Sequence, residues 1–254
     1  MSLKNKLTKK KLALGSWITL AHPAIAEIMS CSGFDWLAVD LEHSVITIRE
    51  AEELIRIIDL SGVDPLVRLT WNDANQIKRV MDAGAHGVIV PMVNSPEAAA
   101  AAVAAVHYPS VGSRGVGLAR AHGYGASFKE YLQWQKEESI VIVQVEHIEA
   151  VNNIDAILST PGVDGFIIGP YDLSGSMGRP GDLDHPDVVA AMNTVRETGE
   201  RHDKSVGVHV IEPDTSQLSE RIAEGYRFIA YSLDIRMLDV ASRQGVSMAK
   251  GYLP

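Results

Sequence analysis

The 254-residue sequence contains a single cysteine, Cys31, so no disulfide bond can form within the chain. A reducing, cytoplasmic setting is the simplest interpretation of that scarcity. Cys31 falls in an apparent helix that runs from Ala24 to Ser32. A lone cysteine in such a helix is more often a buried core residue than a catalytic nucleophile, so a core position is predicted for Cys31.

Long apolar runs and an excess of positive charge are also lacking. The longest run of small apolar residues, Ala98 to Val106, is far shorter than the roughly 20 residues that span a bilayer. The formal net charge of −9 argues against a nucleic-acid-binding protein, which depends on a basic patch. Neither a membrane nor a nucleic acid is therefore expected as a partner.

Several motifs that mark common cofactor sites are missing. No G-x-G-x-x-G follows the first β-rich run and no G-x-x-x-x-G-K-[ST] occurs anywhere, so no nucleotide cofactor is expected. A structural zinc site is not expected either, because the sequence has no cysteine cluster and no H-E-x-x-H.

Short apolar runs that are rich in valine and isoleucine recur along the whole chain. They are nearly continuous rather than alternating, which is typical of parallel strands buried on both faces. The runs are Leu14–Leu20, Trp36–Leu41, Pro65–Leu69, Gly87–Pro91, Ile140–Val145, Gly165–Gly169, Ser205–Val210 and Arg227–Tyr231.

Helical patterns lie between these runs, and several begin at a capping residue or end at glycine. The patterns are Pro23–Ser32, Ile48–Ser61, Asn75–Ala83, Pro96–Val106, Ile148–Ser159, Pro186–His202, Asp214–Glu224 and Ile235–Gln244. Eight strands that alternate with helices, with no linker between them, predict that residues 1–254 form a single-domain (β/α)8 TIM barrel of the α/β class. An open, doubly wound sheet is the alternative.

Two segments depart from the regular alternation. The stretch from His107 to about Lys136 is rich in glycine and is predicted to be one long irregular loop, of the kind that is usually functional or ordered by a partner. The last helix is predicted at about residues 235–245.

Polar and charged side chains cluster where the predicted strands end. In barrels the active site lies at the C-terminal ends of the strands, so these side chains are the candidates for chemistry. The candidates are Asp40, Glu42, His43, Arg68, Gln144, Glu146, His147, Asp172, His209, Ser232 and Asp234.

Glu146 and Asp172 form the best candidate metal site. They follow neighbouring strands, so both carboxylates can point into the mouth of the barrel. Two carboxylates completed by water and substrate oxygens suit Mg²⁺ or Mn²⁺. The equally weighted alternative is that both acids pair with basic residues or cap helices.

His43, Asp40 and Arg68 are candidate catalytic residues. A carboxylate such as Asp40 next to the His43 imidazole would fix its tautomer and raise its basicity, although a structural role is the more common one for a lone histidine after a strand. The Arg68 guanidinium could bind a carboxylate and stabilise an enolate oxygen. An internal ion pair is an equal alternative for Arg68.

These residues lie within segments that resemble the HpcH/HpaI aldolases, which are class II, metal-dependent pyruvate aldolases. No single segment is specific, but the ordered set extends from about residue 14 to 240. The segments are Gly33–Trp36, Asp40-x-Glu42-His43, Pro65-x-Val67-Arg68, Asp73-x-x-Gln76-Ile77-Lys78, Asp82–Ala85, Val90–Val93, Tyr108-Pro109, Arg114–Gly117, Gln144–Glu146, Val163–Gly165 and Ile168-Gly169-Pro170-x-Asp172-Leu173-Ser174.

The resemblance implies a role for each candidate in a (β/α)8 barrel that binds Mg²⁺ or Mn²⁺, with Co²⁺ as a further option. Glu146 and Asp172 would bind the metal. Gln144, with the backbone near Tyr171 and Asp172, would bind pyruvate. Arg68 would stabilise the enolate, and His43 paired with Asp40 would transfer protons. The resemblance also implies a homo-oligomer, a trimer or hexamer, in which the last helix is exchanged between subunits.

The implied function is reversible cleavage of a 4-hydroxy-2-oxo acid to pyruvate, or a related 2-oxo acid, and an aldehyde. The segment from Gly115 to Gly125 departs from the version typical of the dihydroxyheptenedioate aldolases, which leaves the aldehyde open. Citrate-synthase-like or acyl-CoA lyase chemistry on an oxaloacetate-type enolate is one alternative. A non-catalytic binding protein on the same barrel is another.

Overall fold

The computed structural model describes residues 1–252, and eight parallel strands in it close into a barrel in chain order. The strands are β1 (Ala13–Ile18), β2 (Trp36–Asp40), β3 (Asp64–Arg68), β4 (Gly87–Val90), β5 (Ile140–Val145), β6 (Gly165–Ile168), β7 (Ser205–Val210) and β8 (Phe228–Leu233). All eight predicted strands and the (β/α)8 barrel are thereby confirmed, and the open sheet is excluded.

Helices surround the barrel. They are α1 (Leu3–Thr8), α2 (Pro23–Ser30), α3 (Ile48–Leu60), α4 (Ala74–Asp82), α5 (Pro96–Val106), α6 (Phe128–Glu138), α7 (Ile148–Asn152), α8 (Ile154–Ser159), α9 (Pro170–Ser176), α10 (Pro186–Arg201), α11 (Thr215–Ala223) and α12 (Asp234–Lys250). Every predicted helix is present, although the one predicted over Ile148–Ser159 is divided into α7 and α8 because Asn153 leaves the helical conformation.

The strands are apolar on both faces because each strand contributes to two cores. In β5, Ile140 and Ile142 pack inside the barrel, whereas Val141, Val143 and Val145 pack against the helices. This arrangement explains why the runs in the sequence do not alternate between apolar and polar residues.

Helix α1 covers the N-terminal end of the barrel and was not predicted. Leu3 and Leu7 are each 1% exposed and belong to the inner core. Ser205 Oγ at the start of β7 donates a hydrogen bond of 2.8 Å to the carbonyl of Leu7. The catalytic candidates Asp40, His43 and Arg68 lie at the opposite end of the barrel, where β2 and β3 end.

The prediction of one loop over residues 107–136 is wrong in its second half. Helix α6 occupies Phe128–Glu138, and Tyr131 and Gln135, one helical turn apart, face the protein interior. A 3-10 helix covers Arg120–Gly125. The high polarity of α6 hid its helical pattern, because only a narrow side of this helix is buried.

Two further differences concern the chain outside the barrel. Cys31 is exposed at the C-terminal end of α2, so the predicted core position is wrong. Helix α12 runs six residues beyond the predicted Gln244, to Lys250, and Asp234 is its one buried residue. Within residues 1–252, no helix has the length and apolar character needed to cross a membrane.

Candidate active site at the mouth of the barrel

Four side chains from alternate strands form the floor of the barrel mouth. They are Trp17 on β1, Arg68 on β3, Gln144 on β5 and His209 on β7. Because the strands of a barrel are tilted, side chains at one height move forward by about one residue from each strand to the next. With that advance, the pairing registers of the eight strands place these four residues in one ring. This ring, which we call the floor layer, separates the apolar barrel interior from the mouth.

A cavity of about 300 Å³ lies directly on the floor layer. Its lining includes all four floor residues together with Asp40, His43, Tyr171 and Asp172. A larger cavity of about 570 Å³ lies outside the barrel, between α3, α6 and the 3-10 helix, and contains none of the predicted site residues. We therefore place the candidate active site in the smaller cavity.

Arg68 is held in place by Asp40. Arg68 Nε donates to Asp40 Oδ1 at 2.8 Å and Nη2 donates to Oδ2 at 2.6 Å. The guanidinium also lies 4.4 Å from the centre of the Trp17 ring. Burial lowers the pKa of Arg68, but the hydrogen bonds and charge of Asp40 outweigh that effect, and the guanidinium stays charged.

The expected pairing of the His43 imidazole with Asp40 is not formed in the structure. Asp40 Oδ1 instead accepts hydrogen bonds from the backbone N–H groups of Glu42 and His43, besides those from Arg68. The His43 side chain is 62% exposed at the rim, and its Nε2 lies 3.8 Å from Glu42 Oε2. Asp40 therefore positions Arg68 and the turn that carries His43.

Glu146 lies just beyond β5, in a compartment built around its carboxylate. Oε1 accepts a hydrogen bond of 2.7 Å from the backbone N–H of Met92, and Oε2 accepts one from the side-chain amide of Gln144. A side chain at Gly169 would place its Cβ 2.9 Å from Oε2, so glycine leaves the room that the carboxylate occupies. Burial raises the pKa of Glu146, and the charge of Asp172 raises it further.

Asp172 and Tyr171 lie in the first turn of α9, which begins directly after β6. Both line the cavity. The first N–H groups of a helix have no partner inside the helix, so the backbone amides of this turn are available to an anionic ligand. The Asp172 side chain is exposed to the mouth, unlike Glu146, which is 2% exposed.

Negative charge exceeds positive charge at this site. Glu42 is a further acid at the mouth, and burial raises its pKa to about 7, with the charge of Glu146 adding to the effect. Its Oε2 and Gln144 Oε1 are buried without a hydrogen-bond partner. Among the charged residues that act on Glu42, the acids Glu146, Asp40 and Asp172 raise its pKa, whereas the basic residue Arg68 lowers it.

The donor set fits a divalent cation. Carboxylate and amide oxygens in a buried, acidic compartment are what Mg²⁺ and Mn²⁺ bind. Within the described part of the chain, no cluster of three or more His, Cys, Asp or Glu side chains is arranged as a metal site. A site with only two carboxylate ligands, Glu146 and Asp172, would depend on water and substrate for its remaining ligands.

Three other strand-end or loop residues have structural partners. Asp234 accepts hydrogen bonds from the backbone and hydroxyl of Thr19, and so connects α12 to the end of β1. Arg114 is buried against Tyr108, with its guanidinium 4.0 Å from the ring centre. Arg120 pairs with Asp59 at 2.6 Å in the larger cavity.

The structure adds Met92 and Gly169 to the site. Both lie in segments that carry the family resemblance, but the sequence assigned neither of them a role. Met92 has a positive φ of 51°, which turns its N–H toward Glu146. Non-glycine residues in this conformation concentrate at functional sites. The sequence signal was the glycine and proline next to the strand ends, in Val90-Pro91-Met92 and Ile168-Gly169-Pro170.

Comparisons to known proteins agree with the fold and show the family of the chain. The model of the HpcH/HpaI aldolase/citrate lyase family matches residues 13–240. A hydroxypyruvate/pyruvate aldolase of Sagittula stellata is 40% identical over 232 residues, which are 90% of this chain and 90% of the relative.

Two further proteins extend the comparison. A 2-keto-3-deoxy-L-rhamnonate aldolase of Klebsiella pneumoniae is 34% identical over 97% of this chain and 92% of its own. The crystal structure of a family protein from Burkholderia cenocepacia superposes with a TM-score of 0.92 and 34% identity over 98% of both chains. The likeness therefore covers the barrel from end to end.

Proposed function

Because the chain belongs to the HpcH/HpaI aldolase/citrate lyase family, we propose that it is an aldehyde-lyase that cleaves 4-hydroxy-2-oxo acids to pyruvate, or a related 2-oxo acid, and an aldehyde. Aldolases at 34–40% identity over most of the chain support lyase activity. They favour this function over citrate-synthase-like or acyl-CoA chemistry and over a non-catalytic binding protein.

The observation that carries the proposal is the orientation of Arg68 above the floor layer. Two of its three guanidinium nitrogens, Nε and Nη2, are engaged by Asp40. Nη1 has no partner within residues 1–252, and Arg68 lines the cavity. A fixed cationic donor that faces the cavity suits the keto oxygen of a 2-oxo acid, which gains negative charge when the enolate forms.

Glu146 and Asp172 would hold the divalent cation, with the unpaired oxygen of Gln144 nearby. When bound there, the cation polarises the carbonyl of the 2-oxo acid and stabilises enolate charge. The backbone amides of Tyr171 and Asp172 would bind the substrate carboxylate, and Gln144 would orient the 2-oxo acid on the floor layer.

His43 would transfer protons at the rim of the cavity. During cleavage it takes the proton from the C4 hydroxyl of the substrate, the C3–C4 bond breaks, and the electron pair moves into the enolate. Addition of a proton to C3 then gives the 2-oxo acid. An exposed imidazole at the rim is suited to exchanging that proton with solvent, whereas Asp40 stays ion-paired with Arg68.

The test is release of pyruvate from 4-hydroxy-2-oxo acids by the purified protein. We expect cleavage that EDTA abolishes and that Mg²⁺, Mn²⁺ or Co²⁺ restores. Full activity after complete removal of metal would contradict the proposed metal dependence. A citrate-forming activity that requires acyl-CoA, without pyruvate release, would favour the alternative chemistry.

A further inference from the structure

The floor layer contains one polar side chain that has no role in the proposed mechanism. Arg68 and Gln144 face the keto acid, and the Trp17 ring supports Arg68. His209 is the fourth member, and its ring lies 5.8 Å from that of Trp17, between centres. It lines the same cavity as the other three.

The surroundings of His209 fix which ring nitrogen carries the proton. Nε2 lies 3.2 Å from the carbonyl oxygen of Ser232. A carbonyl only accepts hydrogen bonds, so Nε2 must be the donor and Nδ1 the acceptor in the neutral ring. The carbonyl is itself held in place, because it accepts a hydrogen bond of 3.1 Å from Ser16 Oγ. Burial lowers the pKa of His209 to about 4, so the ring is neutral near pH 7.

His209 Nδ1 is open to the cavity. It has no hydrogen-bond partner within residues 1–252, yet it is not among the buried atoms that lack one, so a ligand or water can reach it. The carboxylate of Asp40, whose charge acts on His209, is already engaged by Arg68. Nδ1 is therefore a neutral acceptor available to a ligand.

A free acceptor at this position selects for a particular chemical group. It repels the carboxylate and keto oxygens of a 2-oxo acid and attracts a hydroxyl group. His209 and Arg68 both lie against the Trp17 ring on the floor. His209 is therefore expected to meet the 2-oxo acid that binds next to Arg68 rather than the aldehyde that enters from the open rim. The ligand hydroxyl is therefore expected on the 2-oxo acid itself.

We propose that His209 is a specificity-determining residue whose Nδ1 accepts a hydrogen bond from a hydroxyl group on C3 of the donor. The favoured donors would then be 3-hydroxy-2-oxo acids rather than pyruvate alone. This inference rests on the proposed function, because it assumes that a 2-oxo acid binds on the floor layer.

Exchange of the C3 hydrogens with deuterium in D₂O tests the inference without an aldehyde. NMR follows the exchange in pyruvate and hydroxypyruvate with the Mg²⁺-loaded enzyme, and the readout is the ratio of kcat/KM for the two donors. The loss of one neutral hydrogen bond should lower the hydroxypyruvate-to-pyruvate ratio by roughly 3- to 12-fold.

Three variants separate the acceptor from the remainder of the ring. His209→Gln can still donate to the Ser232 carbonyl but has no acceptor at the Nδ1 position, and His209→Phe keeps only the ring volume. Both should lower the ratio. His209→Asn can place its amide oxygen, an acceptor, at the Nδ1 position and should keep the ratio within about twofold of the wild-type value. Thermal melting of each variant checks that it is folded.

The outcomes separate this inference from the proposed function. If the wild-type enzyme exchanges the C3 hydrogens of both donors and the ratio is unchanged in His209→Gln and His209→Phe, His209 does not recognise the hydroxyl group. The same conclusion follows if His209→Asn loses the preference as completely as His209→Gln. If the wild-type enzyme exchanges neither donor, the proposed function is wrong and this inference fails with it.

Discussion

At the scale of single residues, the site depends on side chains that are oriented by neighbours rather than by their own strands. Asp40 and Arg68 are direct register partners on β2 and β3, which brings the carboxylate and guanidinium together. Their two hydrogen bonds fix the planar guanidinium in a way that a single contact could not. The geometry of the pair, more than its charge, is what we expect the reaction to require.

Arg68→Lys tests this requirement. Lysine keeps the positive charge opposite Asp40 but cannot make two parallel hydrogen bonds and still present a donor to the keto oxygen. We expect kcat to fall by about 100-fold or more, as for removal of a donor to a developing oxyanion. Steady-state kinetics of pyruvate release measures the effect, and a lysine variant with unchanged kcat would exclude this role.

Gly169→Ala tests the compartment around Glu146. The added methyl group would lie 2.9 Å from Glu146 Oε2, so the carboxylate must move. We expect the Kd for Mn²⁺, measured by calorimetry, to rise about tenfold, which corresponds to about 1.4 kcal/mol. Gly175→Ala is the matched control, because a Cβ at Gly175 meets no atom within 4 Å. Equal affinities in the two variants would show that the Glu146 carboxylate does not set metal affinity.

At the scale of elements, the sequence predicted the strands and most helices because buried strands and capped helices leave local patterns. The partners of strand-end side chains were less predictable. The sequence alone favours His43 as the partner of Asp40, since the two are close in the chain, but the β2–β3 register gives that place to Arg68. Helix α6 was missed because only two of its residues are buried, and α1 because its apolar residues are few.

The junction of α3, β3 and β4 gives a prediction of pH-dependent stability. His86 Nδ1 lies 2.6 Å from Asp64 and Nε2 lies 3.3 Å from Asp59. Burial lowers the pKa of His86, but the hydrogen bonds and charges of these two acids outweigh it and raise the pKa to about 9. The raised pKa stabilises the folded state fully below pH 6.5, and this stabilisation is lost as the pH rises through 9.

Urea denaturation at pH 6.5 and pH 9.5 measures this contribution. We expect the wild-type free energy of unfolding to fall by about 2 kcal/mol more than that of His86→Asn, which cannot be protonated in this range. An equal decrease in the two proteins would show that the His86 cluster does not contribute charge-dependent stability.

At the scale of the whole molecule, α12 carries apolar side chains that are exposed along its length. Leu238, Val246 and Met248 on this helix are 58%, 56% and 69% exposed. Exposed apolar side chains on one helix commonly mark a contact with another chain. We propose that α12 packs on a second copy of this chain, as the family resemblance implies. The cytoplasmic location of the protein likewise stays a prediction.

Light scattering of the 254-residue protein tests the association. We expect a mass of three or six times the 27.5 kDa of the chain. Replacing Leu238 and Val246 with serine should shift the protein toward monomer while its circular dichroism spectrum stays that of a folded barrel. A wild-type protein that is monomeric at micromolar concentration would contradict the exchange of α12.

The central claim is that Glu146 and Asp172 together bind a divalent cation at the mouth of the barrel, and anomalous diffraction from crystals soaked in Mn²⁺ and pyruvate tests it most directly. We expect one strong manganese peak within about 2.0–2.3 Å of a carboxylate oxygen from each residue, and loss of that peak in Glu146→Gln. A manganese peak at any other acidic site, with none between these two carboxylates, would contradict the account.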